Sequence, residues 1–407
     1  MPVNIWIINH YAVYKKGRHA TLARLFRKKG CIVNILLSSY SRDDGYLFKE
    51  NIHVIKDDEE GVNYIYIKSK PSHKQNGVKR VLNMISFCIL IWMNLSKICK
   101  IAGKPSHVIA SSVHPFVWEI GYIIASKFRA KFVAEIRDIW PLSLIEVQHI
   151  SKHHPLVLLM NIVEKRAYLR ADAIVSTMPY AYMHVCESFN VKREKVYWMP
   201  NGINVQQYES NLDSAIELPA NISSFLTSHW SCVYTGSIVA SECISLMLEA
   251  FEMIKDEDIY FAIIGDGHEL SKLIEMKNCL GLDKVRFFPK VDNSLICKIL
   301  QKSQCCIAGV HDLPLYRYGL SLNKLNDYLL SGKPVLFACS YPNVVEEVGQ
   351  FNIASDNPKK MAETILKIKD MTKSELEEIS LRSRKMIYDV YDYNVIAENY
   401  LEMLKSL

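Results

Sequence analysis

The 407-residue chain lacks several features that mark common protein classes. Its eleven cysteines form no Cys-x-x-Cys pair and no metal-ligand spacing, which argues against a zinc module or a dithiol redox centre. Cys305 and Cys306 lie side by side in an apolar run and read as core residues. The opening "MPVNIWIINHY" has no basic n-region and no cleavage site, so a cytoplasmic protein with reduced thiols is expected. No complete Gly-x-Gly-x-x-Gly fingerprint follows the first apolar segment, which disfavours an NAD-dependent oxidoreductase. No short repeat is present. Residues 81–98 are nearly all apolar, but they are short for a spanning helix and are interrupted by Asn83, Ser86, Asn94 and Ser96.

The length and a hydrophobic content of 49% against 23% charged residues describe a globular chain with two sizeable cores. Charge is unevenly placed. Residues 1–200 carry 29 Lys and Arg against 15 Asp and Glu, and residues 201–407 carry 20 against 28. A basic first half either faces something anionic, such as nucleic acid, a membrane surface or a phosphorylated substrate, or is simply a solvated lysine-rich surface. Residues 81–98 read first as a buried core helix. Their flanking Lys79, Arg80, Lys97 and Lys100, with Trp92, also fit a helix lying partly in a membrane interface.

Strands and helices alternate almost throughout. "VNIWIINH", "CIVNILLSS", "SHVIASS", "KFVAEIRD" and "ADAIVSTM" are apolar strands, with the helix "FVWEIGYIIASKFR" among them, and "EKVYWMPNGI" closes the half. The pattern restarts with "SCVYTGS", "IYFAIIGDG", "VRFFPKV", "QCCIAGV" and "PVLFAC". This predicts an α/β chain of two doubly wound parallel-sheet domains, residues 1–200 and 201–386. Ligands of such sheets bind beyond the carboxyl ends of the strands, here facing a cleft between the lobes.

Candidate chemistry gathers at those ends. In "YRYGLSLNKLNDYLLSGKPVL", residues 316–336, Ser321 can cap a helix whose first free amides are those of Leu322, Asn323 and Lys324. Such a helix start favours a phosphate or diphosphate. Lys324 and Arg317 can add charge, Asp327 can reach a hydroxyl such as that of a ribose, and Gly332 can end the helix in a left-handed conformation. Gly265 and Gly267 in "IIGDGHEL", and Gly236 with Ser237 in "VYTGSI", stand at two further strand ends. Backbone groups of Phe288 and Lys290 could meet the edge of a base. In the first half, Asn9, His10, Gly17, Arg18 and His19 follow strand one, His114 follows "VIASS", and Glu135, Arg137 and Asp138 follow "KFVA".

With "EIRDIWPLSL", "MPNGIN", "VYTGSI", "IIGDGHEL", "VRFFPKV" and the residue 316–336 run in that order, nearly the whole chain resembles the GT4-type glycosyltransferases, in particular their WbuB-like branch of surface-polysaccharide biosynthesis. The resemblance implies a GT-B fold, two Rossmann-like domains with a last helix, about residues 387–407, packed back on the first. It implies a nucleotide-sugar donor, often UDP-linked, transfer with retention and no required metal or other cofactor. Diphosphate would sit on the helix start of residues 321–324, ribose on Asp327, and uridine near Phe288 and Lys290. Gly17 would approach the diphosphate, and His114, Glu135, Arg137 and Asp138 would serve the transferred sugar and the acceptor. Asp138 would act as base if the enzyme inverts. The implied partners are a lipid-linked or growing polysaccharide acceptor and the inner membrane face, with no nucleic acid.

Three departures from the family pattern stand out. Of a Glu-x7-Glu pair, only the second position is acidic, as Asp327, while the first falls near Gly319. The segment after "TGS" reads "ASEC" where relatives often carry an arginine and a lysine, and a histidine often replaces Arg137. The same fold also serves UDP-sugar 2-epimerases, and a non-catalytic assembly component is a further alternative.

Overall fold

The computed structural model describes residues 2–41, 45–71 and 77–407. Backbone contacts divide the chain into two units: Met1–Pro200 with Ile396–Leu407, and Asn201–Val395. The expected return helix therefore joins the first unit later than residue 387. A π-turn over Ile387–Tyr391 stays with the second unit, and the helix Tyr393–Ser406 follows. Within the first unit, Tyr400 packs edge-on to Phe26 at 5.6 Å, and His107 Nε2 meets the Leu404 carbonyl at 3.0 Å.

The first unit holds an eight-stranded sheet in the order Val196–Trp198, Ala173–Ser176, Lys131–Ile136, His107–Ser111, Asn4–Ile8, Ile32–Ser38, Val62–Ile67 and Ile52–Lys56. All neighbours run parallel except the last pair. Every residue of Asn4–Ile8 is buried, as a central parallel strand covered on both faces requires. The edge hairpin Ile52–Lys56 and Val62–Ile67 is a difference from the sequence reading. Its inner strand carries Asn63, which extends a buried asparagine ladder: Asn63 Nδ2 donates to Asn34 Oδ1 at 2.8 Å, and Asn34 Nδ2 to Asn4 Oδ1 at 2.9 Å. Polar residues that satisfy one another sideways hide a strand from an apolar pattern.

The second unit holds six parallel strands in the order Val285–Phe288, Tyr260–Asp266, Ser231–Ser237, Cys305–Gly309, Val335–Ala338 and Phe351–Ile353. Chain order reverses direction at Ser231–Ser237 and Cys305–Gly309. In the first unit the reversal falls at Asn4–Ile8 and His107–Ser111. Connections leave to opposite faces at these points, so a crevice opens beyond the strand ends. Cys305 and Cys306 are fully buried, as expected of core residues.

Among the described residues, no single helix is long and apolar enough to cross a membrane. Gly77–Met93 and Leu95–Ala102 pass that test only as a pair, and they bend by 68° between them.

Candidate active site

At the switch point of the second unit lies a cavity of about 620 Å³. Its floor is made of strand ends brought unusually close. A Cβ on Gly265 would fall 1.8 Å from the Gly236 carbonyl oxygen, and one on Gly267 would fall 2.0 Å from that of Ile238. Only glycine permits this approach. Ser237, Asp266, Lys290 and Asn293 complete the rim, and the helix Asn323–Ser331 supplies Asn323, Lys324 and Asp327 to the wall. Gly332 ends that helix at φ 73°, ψ 10°, in the left-handed region.

Lys324 crosses above Gly236, where an added Cβ would stand 3.0 Å from its Nζ. The ammonium donates to Tyr234 Oη at 3.0 Å and lies 4.5 Å from the centre of that ring. It also makes a short ion pair with Glu242. The Tyr234 hydroxyl in turn donates a hydrogen bond to the Ser237 carbonyl at 2.7 Å, so ring, lysine and strand end form one chain of hydrogen bonds. Burial lowers the Lys324 pKa, and Glu242 opposes that shift. Glu242 comes from the "ASEC" segment, which sequence reasoning read only as lacking cations. It is the counter-charge that keeps a largely buried lysine protonated.

Asp327 faces the same cavity, and among the described residues no hydrogen bond or ion pair engages its carboxyl. Burial raises its pKa from 3.8 to about 7. The sign of the linkage follows. A carboxyl whose folded pKa lies above its unfolded one favours the fold while protonated, and that advantage is lost as pH rises through the folded value. Stability of the ligand-free protein is expected to fall between about pH 4 and pH 7 from this group, on the order of 4 kcal/mol. Thermal unfolding across that range measures it, and Asp327→Asn should flatten the slope.

Several sequence expectations need correction in this unit. Ser321 is not the helix cap. Leu322, extended at φ −89°, ψ 117°, occupies that position, and no side chain caps the helix. Ser321 instead receives the Asn201 backbone N–H on its Oγ at 3.0 Å, and Asn326 Nδ2 donates to the Asn201 carbonyl at 2.9 Å. The "MPNG" segment is thus clasped where a phosphate contact was expected. Arg317 is spent on its own 3₁₀ turn, donating to the Pro314 carbonyl at 2.5 Å and stacking on Tyr318 at 4.4 Å. The Phe288 side chain is core, packed edge-on to Phe225 at 5.4 Å, while Lys290 does line the cavity.

In the first unit the strand-end polar residues form two buried clusters. Glu135 is fully buried, accepting from Arg18 Nε at 3.1 Å and from His19 Nε2 at 2.6 Å. Asn9 fixes the histidine tautomer. Its Oδ1 accepts from the Tyr11 N–H at 3.1 Å, so its Nδ2 donates to His19 Nδ1 at 2.8 Å. His19 therefore carries its proton on Nε2 and is neutral, consistent with a pKa lowered by burial. Burial opposes ionisation of Glu135, but His19 and Arg18 together hold its carboxyl well below the usual range. Arg18 also donates to the Met199 carbonyl at 2.9 Å and to that of Pro200. The expected catalytic role of Glu135 is thus corrected to a structural one, since both oxygens are occupied inside the protein.

His114 is likewise fully enclosed. Its Nε2 lies 2.8 Å from His10 Nδ1, and burial, aided by Arg80, pushes its pKa down to about 3. A neutral, sealed imidazole cannot reach an acceptor hydroxyl. Arg137 and Asp138 do reach the surface, and Gly17 is exposed as the first residue of the helix Gly17–Lys28.

Two α/β units, each built on a mainly parallel sheet with a topological switch point, match the GT-B fold. Solved structures agree. HepE from Anabaena in complex with UDP and glucose is 14% identical and covers 99% of both chains with a TM-score of 0.65. A glycosyltransferase from Rickettsia africae is 16% identical, covers 100% of this chain and 98% of its own, and scores 0.69. The Escherichia coli trehalose-6-phosphate protein bound with UDP-2-fluoro glucose is 11% identical, covers 99% of both chains, and scores 0.73. Residues 19–207 match the family described as Glycosyltransferase Family 4, and residues 230–370 match Glycosyl transferases group 1. A putative colanic acid biosynthesis glycosyl transferase, WcaI of Escherichia coli K12, is 22% identical over 243 residues. That match spans 59% of this chain and 58% of the relative's length. Together these matches support a GT4-type glycosyltransferase.

Proposed function

We propose that the protein transfers a hexosyl or N-acetylhexosaminyl group from a UDP-linked donor to a lipid-linked or growing surface-polysaccharide acceptor, with retention of configuration. One observation carries the donor half of this reading. The cavity sets Lys324 and the uncapped start of Asn323–Ser331 on one wall with Asp327 about one turn further along, and has the close-packed glycine ends as its floor. A diphosphate would lie against the Asn323 and Lys324 amides and the lysine, a ribose hydroxyl would meet Asp327, and the base would lie toward Lys290. The first-unit residues Arg137 and Asp138 are assigned to the transferred sugar and the acceptor, and Gly17 to the diphosphate. The UDP complexes of HepE and the colanic-acid name of the WcaI relative support the donor and acceptor classes.

In the reaction, the bond between the anomeric carbon and the phosphate oxygen breaks. The acceptor hydroxyl oxygen bonds to the same face, and its proton passes to the leaving phosphate. No strong protein base is then needed. The enzyme's task is to stabilise charge growing on the diphosphate.

Calorimetry with UDP tests the donor site directly. UDP is expected to bind and to raise Tm, whereas Asp327→Ala should weaken binding by about tenfold, the loss of one buried charge-assisted hydrogen bond. Absence of UDP binding would overturn the reading. Incubation with the UDP-sugar alone separates transfer from epimerisation, and NMR of the product anomer fixes the stereochemistry.

A further inference from the structure

The helix Gly77–Met93 is apolar on both its buried and its exposed face. Its inward face carries Asn83 and Ser86, both buried. Asn83 Nδ2 donates to Ser69 Oγ at 3.1 Å, and Ser86 Oγ accepts from the Lys70 N–H at 2.9 Å. Its outward face is Val78, Leu82, Ile89, Trp92 and Met93, which are 71%, 46%, 52%, 47% and 71% exposed. At helical spacing these five fall within an arc of about 100°. No charged residue interrupts them between Arg80 and Lys97. The core-helix expectation is therefore half right: Met84, Phe87 and Ile91 do pack inward, but the outward stripe is as apolar as the inward one.

Beside this stripe runs a groove of about 350 Å³ whose walls come from Ile85, Ile89, Trp92, Phe116, Ile120 and Ile123. Glu119 is its one charged lining residue, and that carboxylate is held by Arg166 at 3.1 Å and Arg170 at 3.5 Å. Cations frame the apolar surface. Residues 77–130 carry seven Lys and Arg and the single carboxylate of Glu119. Lys127 Nζ stands 4.9 Å from the centre of the Trp92 ring, which places an ammonium at the edge of the stripe.

We infer that this face docks on a bilayer of anionic lipid. The Val78–Met93 stripe enters the headgroup and acyl boundary, a lipid hydrocarbon chain fills the groove, and Lys127 with its neighbouring cations meets lipid phosphates. An exposed apolar stripe edged by cations and a tryptophan has the chemistry of an interfacial helix. The charge balance selects an anionic surface over a neutral one. This deepens the reading above by naming the surroundings from which a lipid-linked acceptor is drawn. The test needs neither donor nor acceptor, so its failure leaves the UDP reading standing.

The full-length protein is sedimented with vesicles of phosphatidylcholine containing phosphatidylglycerol, and with vesicles of phosphatidylcholine alone. It is expected to pellet with the anionic vesicles and to be released by salt. Lys127→Glu should weaken binding by about tenfold, and Ile89→Asp with Trp92→Asp should abolish it. Both changes lie on the surface, and a cooperative thermal transition near the wild-type Tm reports that the variants are folded. A wild-type protein left in the supernatant, or an Ile89→Asp/Trp92→Asp variant that pellets as well as wild type, would overturn the inference. So would a dimer, found by analytical ultracentrifugation, that Trp92→Asp splits, because the stripe would then be covered by a second copy of this chain.

Discussion

Lys324→Ala should lower kcat/KM for transfer from a UDP-sugar by about 10²–10³-fold, the usual loss when one preorganised group facing developing charge is removed. Most of the loss should appear in kcat. The ground-state diphosphate is already charged, and the further charge arises as the glycosidic bond lengthens. The structure adds a complication. Lys324 is paired with Glu242, so the alanine variant leaves a carboxylate alone at the cationic end of the cavity. That carboxylate would repel the donor and raise KM. The double variant Lys324→Ala/Glu242→Gln separates the two effects. UDP affinity should recover toward wild type while kcat stays low. If kcat recovered as well, Lys324 would serve only to neutralise Glu242, and the assignment of the leaving-group role would fail.

Apolar runs made the two sheets legible in the sequence. A strand such as Asn4–Ile8, buried along its whole length, has to be apolar on both faces. The donor-side cavity was legible in part, because Gly236, Gly265, Gly267, Lys290, Asn323, Lys324 and Asp327 converge where strand-end position said they should. Three things were not legible, each for a physical reason. Ser321 has the right residue type for a cap, but its hydroxyl finds a better partner 120 residues away in the Asn201 amide, and no local pattern records that contact. Glu242 looked like the absence of a cation, since sequence spacing cannot show that a 3₁₀ turn carries its carboxylate to Lys324. For the helix Gly77–Met93, periodicity reveals that two faces exist. Which one turns inward depends on Ser69 and Lys70 offering partners to Asn83 and Ser86.

Glu135→Ala should cost about 3–5 kcal/mol, because it leaves the buried Arg18 guanidinium without its carboxylate. Chemical denaturation measures that loss, and UDP affinity should stay within about twofold of wild type, because the cavity proposed for UDP is lined by second-unit residues. The pH dependence distinguishes this carboxylate from Asp327. The Glu135 pKa is depressed in the folded protein, so its contribution is fully present above the unfolded carboxyl value of about 4.3. It is lost as pH falls toward the folded value. Asp327 acts in the opposite sense, its contribution fading as pH rises toward about 7. Wild type should therefore show a stability maximum in mildly acidic solution. Glu135→Gln should remove much of the acid limb, while Asp327→Asn should flatten the decline toward neutrality. A Glu135→Gln protein that unfolds like wild type at every pH yet has lost transfer activity would restore this residue to the chemistry. In that case the enclosure by Arg18 and His19 would have to open during turnover, since both carboxylate oxygens are otherwise taken.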